Sequence, residues 1–231
     1  MNSKKIRVWD LPTRLFHWLL VLAVVGLVVT GKVGGNLIDW HGRIGVGLAG
    51  LIAFRLVWGV VGSTYARFGQ FFPTPARIAA YLRSGKHGSV GHNPLGALSV
   101  FALLGVLIVQ LLTGLVANDD IAFVGPLYEL VGRDLSNLAT GWHKLVINLL
   151  ILLVVLHVAA IGFYARVKKD NLVKPMVTGW KEVTDGEPAR GGGWLALLLA
   201  LALAGLAVYA ASGAWLPEPP APPPAVATPA W

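Results

Sequence analysis

The sequence predicts an all-α integral membrane protein: a four-helix transmembrane bundle with a fifth transmembrane helix added. Three observations predict it. Charged residues make up 13% of the 231-residue chain and hydrophobic ones 55%, against about 25% charged in soluble domains. Five apolar runs are long enough for a bilayer, which takes roughly 17–25 helical residues. They are Leu15–Gly31, Ile44–Val61, Leu95–Asn118, Leu145–Ala165 and Trp194–Leu216. The segments between them are too short to build a soluble core around the runs, which excludes an ordinary soluble enzyme. The same apolar content excludes a disordered chain.

The first run follows Lys4, Lys5 and Arg7, but no A-x-A-like site follows Thr30-Gly31-Lys32. It therefore reads as a retained helix rather than a cleaved signal. The second is interrupted only by Arg55, whose long side chain is expected to snorkel to the surface. In the 62–94 loop, Pro73 and Pro75 precede Ala76–Leu82, where Ile78, Tyr81 and Leu82 alternate with Arg77 and Arg83. That pattern is a short amphipathic helix lying on the membrane surface. Asn93-Pro94 supplies an N-cap and first-turn proline for the third span. Gln110 and Thr113 are the polar features in its middle, assigned to helix–helix hydrogen bonds. The Ala196, Ala200 and Ala204 stripe is expected to pack the fifth span on the others. Residues 217–231 hold half of the fourteen prolines and read as a disordered external tail. The organisation expected is thus a bundle domain over 1–180, a linker and extra helix over 181–216, and the tail.

The formal charge of +8 is a topology signal. With a cytoplasmic N-terminus, fifteen of the nineteen Lys and Arg residues fall on the inner side, leaving Lys32, Arg43, Arg133 and Lys144 outside. Five spans then put the N-terminus inside and the C-terminus outside. The charge is accounted for by lipid, and no nucleic-acid partner is needed.

Histidine carries the chemistry. No Asp or Glu lies within the five runs, which takes weight from proton pumps and ion-coupled transporters, while His17, His41, His143 and His157 lie in the runs or at their ends. His143 and His157 are fourteen residues apart, about four helical turns and roughly 21 Å of rise, so both rings share one face at opposite depths. Depth then pairs His17 with His157 inside and His41 with His143 outside. Two His–His pairs stacked in one bundle are what two bis-histidine haem irons require. With no cysteine the haems are b-type and non-covalent, and with Met1 and Met176 outside the spans, methionine is not a ligand. Gly45, sharing His41's face with Ala49 and Ala53 continuing the line, lets a flat ring approach. Arg14 inside, and Arg43 and Lys144 outside, are candidate propionate cations. His87 and His92 read as solvated loop residues. Asp119, Asp120, Glu129 and Asp134 against Arg133 give the 118–140 loop a charge of −3, a docking face for a basic-surfaced redox partner.

The segment from Val8 to Trp18, with Trp9-Asp10-Leu11-Pro12-Thr13-Arg14 leading to His17, resembles the opening of the prokaryotic cytochrome b561 family. That family includes the b-type subunit of nickel–iron hydrogenases. His41-Gly42-Arg43-Ile44-Gly45 is similar to its second-span start, Gly91-His92-Asn93-Pro94-Leu95-Gly96-Ala97 to its third, and His143 with His157 to its fourth-span pair. The resemblance spans about residues 6–180. It implies a di-haem electron carrier between the quinone pool and a periplasmic partner, such as a c-type haem protein or hydrogenase. Such a chain is an electron-transfer cytochrome or oxidoreductase subunit rather than a stand-alone catalyst. Two alternatives stay open: a quinone- or superoxide-reactive oxidoreductase, and a non-redox anchor or metal or proton transporter using the same histidines.

Overall fold

A computed structural model describes residues 3–85, 89–121 and 123–217. Its elements, in chain order, are β1 (Lys4–Arg7), α1 (Leu11–Val33), α2 (Ile38–Val61), α3 (Phe68–Phe71), α4 (Pro75–Ser84), α5 (Pro94–Leu115), α6 (Gly132–Arg166), α7 (Val173–Thr178), β2 (Trp180–Val183) and α8 (Trp194–Ala211). Five of these helices (α1, α2, α5, α6 and α8) are long and apolar enough to cross a membrane. The all-α membrane bundle expected from the sequence is what the chain forms.

Sequence punctuation sets the helix starts. Asp10 caps α1, its Oδ1 accepting the Thr13 amide at 2.6 Å, with Pro12 in the first turn. Asn93 caps α5 through Gly96 N at 2.8 Å, with Pro94 next. Thr74 and Pro75 open α4, and Gly85 ends it in the left-handed region at φ 66°. This is the amphipathic surface helix that Ala76–Leu82 predicted. The fourth span is longer than its apolar run. Helix α6 starts at Gly132, so part of the 118–140 loop is helical and carries Asp134 in the first turn.

The helices are arranged so that α1 pairs with α2 and α5 with α6, while α2 also meets α5. Leu48, Ile52, Leu104, Leu107 and Leu150 form the cluster where α2, α5 and α6 meet. Helix α8 lies along α2, as its small-residue stripe predicted: Ala200 is fully buried, with Ala196 and Ala204 packed against the Phe16, Phe54 and Trp58 cluster. Gly50 faces it across this contact, where a Cβ would come within 2.6 Å of Val208 Cγ2. Lipid tails are as apolar as leucine, so such contacts hold through close packing rather than through exclusion of water. The outward faces keep large apolar side chains, Leu22 at 69% and Leu112 at 60% exposure among them. In water these would be an aggregation hazard; in a bilayer they are the solvent-facing surface.

The surface at the N-terminal end, here the near surface, has its own small cap. Strands β1 and β2 pair antiparallel, Lys4 opposite Val183 and Arg7 opposite Trp180. Ile6, Val8 and Trp9 pack there with Tyr65, Val90, Met176 and Val183. The Gly179 carbonyl accepts the Val8 amide at 2.8 Å, and with φ at 87° Gly179 makes the turn out of α7. Neither strand was expected. Each is only four residues long, and their pairing depends on a contact across the whole chain. The proline-rich tail lies outside the described residues apart from Pro217.

Candidate functional site

At the surface opposite the N-terminus, the far surface, His41 near the start of α2 and His143 on α6 face one another. Their ring centroids are 6.0 Å apart and their planes cross at 85°. The two rings are held alike. His41 Nδ1 lies 3.0 Å from the Leu27 carbonyl and 3.3 Å from Thr30 Oγ1. His143 Nδ1 lies 3.0 Å from the Gln110 carbonyl and 3.2 Å from Thr113 Oγ1. A carbonyl only accepts, so both Nδ1 atoms carry the proton and the neutral ring keeps its lone pair on Nε2. Each threonine hydroxyl donates at 2.7 Å to the carbonyl four residues back, of Gly26 or Val109, leaving its oxygen to accept from the imidazole.

Directly after each threonine comes a glycine against the ring. A Cβ at Gly31 would come within 2.9 Å of His41 Cε1, and one at Gly114 within 2.9 Å of His143 Cε1. The Thr-Gly pairs on α1 and α5 thus form matching cradles for histidines on α2 and α6. Sequence reading missed them: Thr113 and Gln110 were assigned to generic helix contacts. The signal was present as the repeat Leu27-Val28-Val29-Thr30-Gly31 and Gln110-Leu111-Leu112-Thr113-Gly114. Gln110 contributes its backbone carbonyl, and its buried side-chain Oε1 has no partner among the described residues.

The two rings border a cavity of about 310 Å³, within the range of ligand pockets. Val24, Leu48, Leu107 and Leu150 give it apolar walls, and Lys32, Asp119 and Lys144 also line it. Gly45 lines it too, and a Cβ there would meet nothing. Ala49 packs elsewhere, with Leu115 and Ala211, so the small line expected along His41's face ends at Gly45. Arg43 is not among the lining residues and stacks over the Trp40 ring at 5.3 Å. Lys32, in the last turn of α1, is the second cation lining it beside Lys144.

At the near surface, His17 on α1 and His157 on α6 are close enough for their charges to interact. His157 Nδ1 is 3.3 Å from Ser99 Oγ on α5, and the buried His17 Nδ1 has no partner among the described residues. Arg14, one turn before His17, donates from Nη1 to the Val177 carbonyl at 2.5 Å, while its buried Nε has no partner among the described residues. The structure therefore brings the four histidines together as two pairs, one toward each surface.

Two other readings are corrected. Arg55 does not snorkel: it is 5% exposed, donates to the Ala66 carbonyl at 3.1 Å and lies 4.4 Å over the Phe68 ring. Asp10, which accepts from Trp58 Nε1 at 3.1 Å, supplies the countercharge that lets a guanidinium stay inside. His92 is not a solvated loop residue. Its ring packs against Phe71 at 4.2 Å and Trp9 at 4.7 Å. Burial, then the nearby Arg55 charge, pushes its pKa down to about 3. Since an unfolded histidine titrates near 6.5, the unfolded chain binds the extra proton between about pH 6.5 and 3. Thermal stability in detergent should therefore fall as pH drops through that window, and His92→Gln should flatten the slope. Equal slopes for the two proteins would show that His92 does not contribute. His87 lies outside the described residues.

Membrane-length helices that present lone-pair nitrogens across an apolar slot define a class of protein, the b-type membrane cytochromes. His41 and His143, with Nδ1 held and Nε2 left as lone-pair donor beside the apolar cavity, are the residues that would hold a haem iron there. The chain belongs to the prokaryotic cytochrome b561 family, whose sequence model matches residues 8–179. It is similar to a probable Ni/Fe-hydrogenase B-type cytochrome subunit of Azotobacter vinelandii, 28% identical over 222 residues, covering 79% of this chain and 91% of the relative. A subunit of the same description from Cupriavidus necator is 26% identical, covering 80% and 90%. The Ni/Fe-hydrogenase 1 counterpart from Escherichia coli K12 is 22% identical, covering 75% and 89%. No solved structure matches the chain. The protein is thus a membrane cytochrome of b type, and haem b is its cofactor.

Proposed function

We propose that this cytochrome carries electrons across the bilayer through two bis-histidine b haems. One would be held by His41 and His143 at the far surface, the other by His17 and His157 at the near surface. The observation that carries this reading is the matched pair of Thr-Gly cradles, which fix two facing imidazoles as Nε2 donors over an open apolar slot. Oriented ligands with their other nitrogen tied down are the usual mark of a built metal site.

When bound, haem b supplies a one-electron iron couple. The chain's own residues do the rest. The four imidazoles set ligation and spacing. Leu48, Leu107 and Leu150 keep water from the far slot, and the Leu27 and Gln110 carbonyls raise imidazole basicity by accepting the Nδ1 protons. Lys32 and Lys144 at the far slot, and the free Nε of Arg14 at the near pair, are the cations placed to meet propionates. Arg43, held over Trp40, serves only if it leaves that ring.

The charge asymmetry supports a cytoplasmic near surface and a periplasmic far surface in a bacterial inner membrane. The hydrogenase subunits among the relatives support a hydrogenase-like partner docking at the far surface. A membrane quinone is the electron carrier proposed on the other side. Residues 1–180 act as the di-haem unit, with α8 and the tail as additions.

Vesicles reconstituted with the holoprotein and loaded with ferricyanide test this. External durohydroquinone should reduce the trapped ferricyanide, two per quinol oxidised, with its two protons released. His143→Ala vesicles should not do so. Equal rates with wild type, His143→Ala and empty vesicles would overturn the proposal.

A further inference from the structure

Helix α6 turns two long faces to different surroundings. His143, Leu150 and His157 recur every seventh residue and face the bundle, Leu150 lying in the cluster with α2 and α5. Gly141, Asn148, Val155 and Gly162 recur at the same interval on the opposite face, and all four are exposed. Leu145 and Leu152, three residues before Asn148 and Val155, complete that face at 60% and 53% exposure. This is the three-and-four spacing of a coiled-coil seam, in which a seven-residue repeat keeps one stripe toward a partner helix.

Asn148 is out of place on a lipid-facing stripe. It lies within the apolar run of α6, about 7.5 Å of helix rise inward from His143. Lipid offers an amide no hydrogen bond, so a polar side chain there is costly unless another helix supplies one. Its Nδ2 bends back to the Lys144 and Leu145 carbonyls at 3.3 and 3.2 Å, acceptors that the helix ladder already uses. Its Oδ1 accepts nothing among the described residues. Nor does Asn148 line the far cavity, so the cofactor site gives it no duty.

We propose that this stripe of α6 is a homodimer interface, with Asn148 hydrogen-bonded to Asn148 of a second copy. The occupant follows from depth and from chemistry. Every copy crosses the membrane in the same orientation, so a two-fold axis along the membrane normal sets both Asn148 side chains at one depth. An amide donates through Nδ2 and accepts through Oδ1, so an identical amide satisfies both. A different helix would need its own polar group at that level. Gly141 and Gly162, where an added Cβ would meet nothing, let two backbones close at either end of the stripe. One such Asn among apolar seam residues fixes register and oligomer state in helix pairs. The histidines of α6 face away from the contact. The dimer therefore sets two complete bundles back to back, and it does not rest on the proposed electron path.

The chain has no cysteine, so single-cysteine variants report proximity without background. In native membranes treated with copper phenanthroline, Leu145→Cys and Leu152→Cys should form disulfide-linked dimers, which requires paired Cα atoms within about 7 Å. Leu22→Cys on α1 and Leu112→Cys on α5, at least as exposed, should stay monomeric. Dissociation is then followed by single-molecule photobleaching of the labelled holoprotein diluted into lipid vesicles. Asn148→Leu should raise the dissociation constant about tenfold, as for one interhelical amide pair, and Asn148→Gln should recover part of the loss. Haem content should match wild type in both, because the substituted face points away from the histidines. Monomers at every dilution, cross-links at Leu22 or Leu112 but not at Leu145 and Leu152, or equal dissociation of wild type and Asn148→Leu overturns the proposal. So does a different polypeptide linked through Leu145→Cys or Leu152→Cys in place of a second copy.

Discussion

Replacing either member of a histidine pair should remove the same haem and leave the other in place. His41→Ala and His143→Ala should both lose the far-surface haem, taking the content from about two haems per chain to about one. His17→Ala and His157→Ala should do the same at the near surface. The reason is geometric. Along α6, His143 and His157 are separated by roughly 21 Å of helix, so one iron cannot use both, and each must find its partner on another helix at its own depth. The far partners have ring centroids 6.0 Å apart, and the near ones are neighbours at the other end of the bundle. Redox titration of each variant separates the two outcomes. If His17→Ala and His157→Ala remove different haems, the pairing is wrong.

The far haem should also be lost without touching a ligand. Gly31→Val and Gly114→Val place side-chain carbon where the His41 and His143 rings stand, since even a Cβ comes within 2.9 Å. The rings cannot retreat cheaply, because each Nδ1 is tied to a carbonyl and a threonine oxygen on the helix that bears the glycine. Each variant should lower far-haem occupancy by an order of magnitude or more, at the upper end of the roughly 10–100-fold typical of supporting-group changes. Thr30→Val and Thr113→Val remove one acceptor and keep the carbonyl, so a smaller loss is expected. Gly105→Ala, on α5 with nothing within 4 Å of the added carbon, is the control. Haem content and spectrum of the folded variants give the readout. Full far-haem occupancy in both valine variants would mean that the cradles do not position the ligands.

The contrast between what could and could not be read from the sequence follows from range. The spans, the Asn93-Pro94 start, the amphipathic α4 and the Ala200 stripe all depend on hydropathy and local chemistry, and all are found where expected. That His41 and His143 would face each other was legible because depth along the bundle is a one-dimensional coordinate that the order of the helices sets. Features set by contacts between helices were not. Arg55 looked like a snorkelling cation because its countercharge, Asp10, is 45 positions away. His92 looked solvated because the rings that cover it, Trp9 and Phe71, come from two other segments. The Thr-Gly repeats were visible as letters, but each threonine's meaning lies in a histidine 11 or 30 residues further on. Arg43 was judged by proximity to His41, whereas Trp40 offers it a closer surface.

Haem stoichiometry of the purified protein tests the central claim most directly. Extracted haem b, quantified against protein mass, should give two per chain, with a dithionite-reduced spectrum showing b-type bands and two separable midpoint potentials. One haem per chain, or a colourless protein, would contradict the pairing of all four histidines.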